Sequence, residues 1–380
     1  MKVANRLGHI KEYYFSRKLK EVHALDAQGN DIINMGIGSP DLPAPASVVT
    51  ALTTAMQDPK AHQYQSYIGL PELREAIAGF YHKNYGVTMD TSTEILPLMG
   101  SKEGIMHISM AFLNPGDAAL IPNPGYPTYS AVTKLVEATP IRYDLDASNH
   151  WLPDLKKLAQ TDLSKVKLMW INYPHMPTGA VASKEFYGEI IAFAKAHDIL
   201  LINDNPYSFI LNDNPQSIFQ IEGAKDVALE LNSLSKSFNM AGWRVGMLLG
   251  NEANISSVLK VKSNMDSGMF YGIQKGAIAA LQLDQKWFDS INTVYQKRRE
   301  IIFKLADKLN CSYDKNGVGL FVWAKLPDSL DAEEFIDKIL YDKGIFITPG
   351  TVFGSQGEGH IRFSLCVNEE RIKQAIRRLS

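Results

Sequence analysis

The 380-residue chain is poor in cysteine, has no long apolar run and carries no excess of either charge. Its two cysteines, Cys311 and Cys366, are far apart and follow no metal-ligand spacing. A disulfide scaffold is therefore excluded, no metal centre is indicated, and reduced structural thiols of a cytoplasmic protein are expected. No apolar stretch approaches the roughly 20 residues that span a bilayer. The opening MKVANRLGHIKEYYFSRK has no apolar core of the kind a secretory signal requires. Lys and Arg number 39 against 41 Asp and Glu, so neither nucleic acid nor an anionic membrane is expected as a partner. Repeats and low-complexity segments are absent as well. What remains is ordinary globular composition, 45% hydrophobic and 21% charged, at a length that suits about two domains.

From about residue 70 the chain alternates between helical and extended patterns. PELREAIAGFYHKNY and KEGIMHISMAFL have apolar residues at helical spacing, whereas EILPLM, AALIPNP, VKLMWIN, ILLINDNPY and VALELNSLS read as strands. Ser183 is placed to cap the helix SKEFYGEIIAFAKAH. The alternation implies an α/β fold: a mostly parallel sheet sandwiched by helices in a large domain over 46–284. Beyond residue 285 a long charged amphipathic stretch leads into a smaller α+β domain, 285–380, with the N-terminal segment 1–45 expected to complete it. Ligands of such sheets bind at the carboxyl ends of the strands.

Four of these strand ends carry reactive or binding residues. NSLSKSFNMAGWRVG holds Lys236 just past an apolar strand, with Ser233, Ser235 and Arg244 around it. A partly buried lysine with a lowered pKa forms Schiff bases, and serines with an arginine fork bind phosphate. By itself such a lysine is usually a solvated loop residue. Asp204 ends a second strand, with Tyr207 three residues on; alone, Asp204 is more often a turn former. Ser101 and Lys102 follow Gly100 at a helix start, a position suited to phosphate. Tyr126, in PNPGYPTY, offers a ring to stack on a flat ligand. A lysine, an acid with a tyrosine, phosphate donors and an aromatic platform together match pyridoxal 5'-phosphate.

On these motifs the sequence resembles the class I/II aminotransferases of the fold-type I pyridoxal-phosphate enzymes, nearly end to end. The resemblance implies that Lys236 bonds to the cofactor and acts as the catalytic base. It places Asp204 at the ring nitrogen and Tyr207 at the phenolic oxygen. Ser101, Lys102, Ser233, Ser235 and Arg244 fall at the phosphate, and Tyr126 on the ring. GIGSPDLPAP is similar to the segment that brings Gly38 against the substrate carboxylate, and PGTVFGSQGEGHIRFSL to the one whose arginine, Arg362, clamps it. Tyr64, in YQSYIGLPELREAIA, would reach the cofactor phosphate of a neighbouring subunit, which implies a homodimer. The implied reaction is ping-pong transfer of an amino group from an α-amino acid to a 2-oxo acid. The opening residues are similar to the aspartate and LL-diaminopimelate branches.

One position departs from the family pattern. NYPHMPTG keeps one asparagine, Asn172, on the cofactor, but has Met176 where the family usually has the amide next to Pro-Thr-Gly. Losing that amide is expected to leave the phenolic oxygen to Tyr207 and the substrate carboxylate to Arg362; His175 is a weaker candidate for a substitute donor. Two rivals share the residues: a β-elimination C–S lyase of the same fold, and a non-enzymatic cofactor-binding regulator. The regulator would need a basic DNA-binding segment, for which the landmarks beginning by Gly36 leave no room.

Overall fold

Apolar runs without polar alternation call for a sheet covered on both faces. The computed structural model describes residues 1–9, 12, 14–328 and 330–379. Its strands begin with the short β1 (Ile33–Asn34). There follow β2 (Ile95–Leu98), β3 (Ala118–Asn123), β4 (Thr139–Asp144), β5 (Val166–Ile171), β6 (Leu200–Asp204), β7 (Ala228–Ser233) and β8 (Gly246–Leu249). Strands β2 to β8 form one seven-stranded sheet in the order 2-8-7-6-5-3-4. The pairs β3–β4, β3–β5, β5–β6 and β6–β7 are parallel, and β8 runs antiparallel to both β7 and β2. The expected mostly parallel α/β sheet is thus present, with one reversed strand.

Successive residues of β5 serve opposite faces, as the two-residue period of a strand requires. Leu168 and Trp170 pack with Ile105 and Ile108 of the helix Ser101–Phe112 on one side. Met169 and Ile171 pack with Tyr187 and Ile190 of the helix Lys184–Ala196 on the other. Ser183 caps the latter helix, its hydroxyl accepting from the Phe186 N–H at 3.1 Å. The edge strand β4 is the one with exposed positions along its length, as an edge permits.

The C-terminal part contains β9 (Ser312–Tyr313), β10 (Phe321–Lys325), β11 (Ile345–Phe346), β12 (Thr348–Pro349) and β13 (His360–Ser364). Four of them form an antiparallel sheet in the order 12-13-10-9. β1 pairs in parallel with β11, so the N-terminal segment is stitched to this part of the chain. A second tie is the pair between buried Arg298, on the long helix Gln285–Lys308, and Asp41, with nitrogen–oxygen distances of 2.6 and 2.9 Å. Both ties hold residues 33–41 across the carboxyl ends of the large sheet. Among the described residues no helix is long and apolar enough to cross a membrane.

Candidate active site

Ser101, Lys102, Tyr126, Asn172, Asp204, Tyr207, Ser233, Ser235, Lys236 and Arg244 line a single cavity of about 190 Å³. They come from the ends of β2, β3, β5, β6 and β7, segments far apart in sequence that the parallel sheet aligns. Gly38 and Arg362 line a second cavity, of about 280 Å³. Tyr126, Met176, Tyr207 and Lys236 line both cavities, so the lysine stands where one passes into the other. Tyr64 lies apart from these walls and is 90% exposed.

One end of the first cavity is an anion cradle. The helix Ser101–Phe112 begins at Gly100, whose φ of +92° suits glycine. A Cβ there would sit 2.3 Å from Nη2 of Arg244, so the guanidinium closes over the helix start only because the side chain is missing. Glu103 pins the first turn: its carboxylate accepts from the Met99 N–H and meets Nε2 of His107 at 3.0 Å. Ser101, at the start of that helix, and Arg244 line the same cavity, an arrangement suited to an anion. Ser233 and Ser235 add two hydroxyls 2.8 Å apart. Burial and the charge of Arg244 push the Lys102 pKa down.

The far wall holds Asp204. Its Oδ2 accepts from the Tyr129 hydroxyl at 2.7 Å, whereas its buried Oδ1 has no hydrogen-bond partner among the described residues. Burial raises its pKa to about 7, against the opposing effects of the Tyr129 hydrogen bond and Lys236. A buried carboxylate oxygen left unmatched in a cavity wall calls for a cationic N–H donor. Tyr129 is a residue that motif reading passed over; it lies three residues after Tyr126 on the next turn of the same segment, stacked on Trp170 at 5.0 Å. This set of groups suits a flat cationic heterocycle bearing a phosphate, as in pyridoxal phosphate: Ser101, Ser233, Ser235 and Arg244 would hold the phosphate, Asp204 the ring nitrogen and Tyr207 the phenolic oxygen. Burial raises the Tyr207 pKa strongly, so its phenol remains a donor.

Lys236 Nζ donates to the Gly38 carbonyl at 2.6 Å. Burial lowers its pKa, with Arg362 and Arg244 adding to the effect and Cys366 and Asp204 opposing it. Arg362 lies in the middle of β13, opposite Trp323 of β10. It is clamped before any ligand arrives: Nη2 donates to the Gly36 carbonyl at 2.7 Å, and the guanidinium lies 3.9 Å above the Phe321 ring. Gly38 is required for this stack, since a Cβ would come within 2.3 Å of the same ring. Phe321 is the second residue that motif reading missed; nothing in the linear sequence connects it to Arg362.

The polar turn behaves differently from the residues around it. Asn172 donates to the Asp204 carbonyl and accepts from the Met176 N–H at 2.9 Å, so its amide holds backbone at both ends. His175 turns away from both cavities: Nδ1 meets the Thr178 hydroxyl at 2.8 Å, and burial lowers its pKa to about 3. It supplies no substitute donor to the cofactor side, because neighbouring side chains of this turn diverge. Met176 instead faces Arg362, whose Nη1 lies 3.2 Å from its sulfur.

The profile described as aminotransferase class I and II matches residues 30–379. The chain is 42% identical over 382 residues to an LL-diaminopimelate aminotransferase of Dehalococcoides mccartyi, covering 100% of this chain and 98% of that protein. It is likewise 42% identical over 381 residues to an LL-diaminopimelate aminotransferase of Halothermothrix orenii, covering 100% and 98%. Among solved structures, apo-BacF from Bacillus subtilis superposes with a TM-score of 0.96 at 38% identity, over 100% of this chain and 98% of that one.

Proposed function

Because the chain belongs to the class I and II aminotransferases, a family dependent on pyridoxal phosphate, we propose that its two joined cavities are the cofactor and substrate halves of a transaminase site. The observation that carries this assignment is the unmatched Oδ1 of Asp204, a residue that lines the same cavity as Ser101, Arg244 and Lys236. When bound, pyridoxal phosphate supplies a protonated ring that accepts the electron pair left on the substrate's α-carbon. Asp204 holds that ring nitrogen protonated, and Tyr129 keeps its carboxylate oriented. Ser101, Ser233, Ser235 and Arg244 hold the phosphate, and Tyr126 packs on the ring. Arg362 fixes the α-carboxylate of the amino acid beside Gly38. Lys236 Nζ, its pKa lowered by burial, takes the α-proton. The donor is an α-amino acid and the acceptor a 2-oxo acid.

Replacing Arg362 with Ala tests the substrate half. KM for every amino donor is expected to rise about 100-fold, the scale of a lost charge-assisted bidentate contact. Cofactor affinity stays unchanged, because Arg362 does not line the cofactor cavity. Equal KM values in the two proteins would remove Arg362 from its role. Met176→Asn tests the departure from the family pattern. An added amide donor at the phenolic oxygen is expected to lower the spectral pKa of the bound cofactor by about one unit. An unchanged pH titration of its absorbance would show that position 176 addresses Arg362 alone.

The subunit arrangement we propose is a homodimer. Tyr64, Tyr67, Met265 and Phe270 are exposed by 90, 44, 60 and 45%. Their two loops pack together, with Gly268 so close to Gln65 that a Cβ would lie 2.3 Å from its carbonyl oxygen. A second subunit covering this apolar face would bring a tyrosine to the neighbouring phosphate cradle. A cytoplasmic location is part of the same proposal; the buried, free thiols of Cys311 and Cys366 support it.

A further inference from the structure

We propose that the amino donor carries a large apolar or aromatic side chain, received in the cavity between Lys236 and the helix Tyr14–Ala27. This rests on the roles given above to Lys236 and Arg362 as the groups that meet the donor's amine and α-carboxylate. With those two charges committed, the rest of the wall decides which side chain fits. Its apolar part includes Phe15, Leu19, Ile37, Phe353, Met176 and the ring of Tyr126, and Ser39 adds one small hydroxyl. Among the described residues of this wall, Lys236 and Arg362 are the charged ones. A second carboxylate or ammonium entering here loses its water and, among the described residues of the wall, meets no charge beyond the two already committed, whereas an apolar side chain displaces water from apolar surfaces.

Charged residues do occur nearby, but beyond the wall. Glu12, Lys134 and Arg142 line a separate cavity of about 320 Å³, which shares Tyr126 and Phe353 with the donor cavity. Those two rings therefore stand between the donor and the charges. Glu12 is already engaged, with Lys20 at 2.7 Å and Ser16 at 3.2 Å. The wall accordingly selects against a dicarboxylic donor, and against one whose side chain ends in its own amino acid group, such as LL-diaminopimelate.

The test is a single-turnover panel on the holoenzyme, following the visible spectrum of the bound cofactor. L-phenylalanine, L-leucine and L-methionine are expected to convert it at least ~100-fold more efficiently than L-aspartate, L-glutamate or LL-diaminopimelate. The non-reacting acid 3-phenylpropanoate is expected to bind at least ~10-fold more tightly than glutarate by calorimetry. Leu19→Arg, at a half-buried position, places a cation in the wall and is expected to shrink both ratios about tenfold. Equal or faster conversion by LL-diaminopimelate or a dicarboxylic acid overturns the side-chain assignment and leaves Lys236 and Arg362 in their roles. Conversion by none of the donors overturns those roles, and this inference with them. An unchanged selectivity in Leu19→Arg means that the side chain lies elsewhere.

Discussion

Lys236→Ala is expected to lower turnover by about 10⁴-fold or more, the upper range for removal of a positioned general base. The variant should also lose the visible absorption that depends on covalent attachment of the cofactor. Both effects follow from one placement. Nζ lies where the two cavities meet, anchored 2.6 Å from the Gly38 carbonyl, and burial lowers its pKa, which favours the neutral amine that a base must be. No other amine lines both cavities among the described residues. Lys102 sits in the first cavity only, at the cradle with Arg244. The cradle and Asp204 remain intact in the variant, so the cofactor should still bind, now reversibly, and be removed by dialysis. A variant that kept turnover would end the proposed mechanism. One that lost cofactor binding altogether would show that the attachment, rather than the cradle, holds the cofactor in place.

The large sheet and its strand-end chemistry were legible because both are local. The inner strands are largely apolar runs, and each candidate residue falls within a few positions of where such a run ends: Asp204 at the last residue of β6, Ser233 at the last of β7, Ser101 at the helix after β2. What stayed hidden depends on contacts between distant segments. The Arg362 clamp needs Phe321 on the neighbouring strand of a four-stranded sheet and Gly36 from the N-terminal segment. Neither is implied by the arginine's own motif. The reversed direction of β8 was equally invisible, since an apolar run reads the same in either direction. Side-chain direction in the turn 172–179 was the subtlest point. His175 and Met176 are adjacent, yet one is buried against Thr178 and the other reaches Arg362.

Asp204→Asn is expected to reduce turnover by about 10²- to 10³-fold, the scale of roughly 3–5 kcal/mol for removing one partner of a buried charge pair. The amide keeps the shape and a hydrogen bond with Tyr129 but cannot hold a ring nitrogen protonated. The same substitution has a consequence for the apoprotein, with a definite sign. Burial raises the Asp204 pKa from an ordinary 3.8 to about 7. Between those values the native state keeps a proton that the unfolded chain has released, so stability falls as pH rises through this window. The full difference is about 4 kcal/mol, taking ~1.4 kcal/mol for each unit. Apoprotein stability relative to Asp204→Asn should therefore fall between about pH 4 and pH 7, measured by denaturant unfolding at each pH. Adding pyridoxal phosphate should reverse the trend in the wild type alone, because a ring cation against Oδ1 favours the carboxylate. A pH-independent difference between the two apoproteins would mean that Asp204 is ionised without a ligand. The unmatched oxygen would then not be what selects a cationic cofactor.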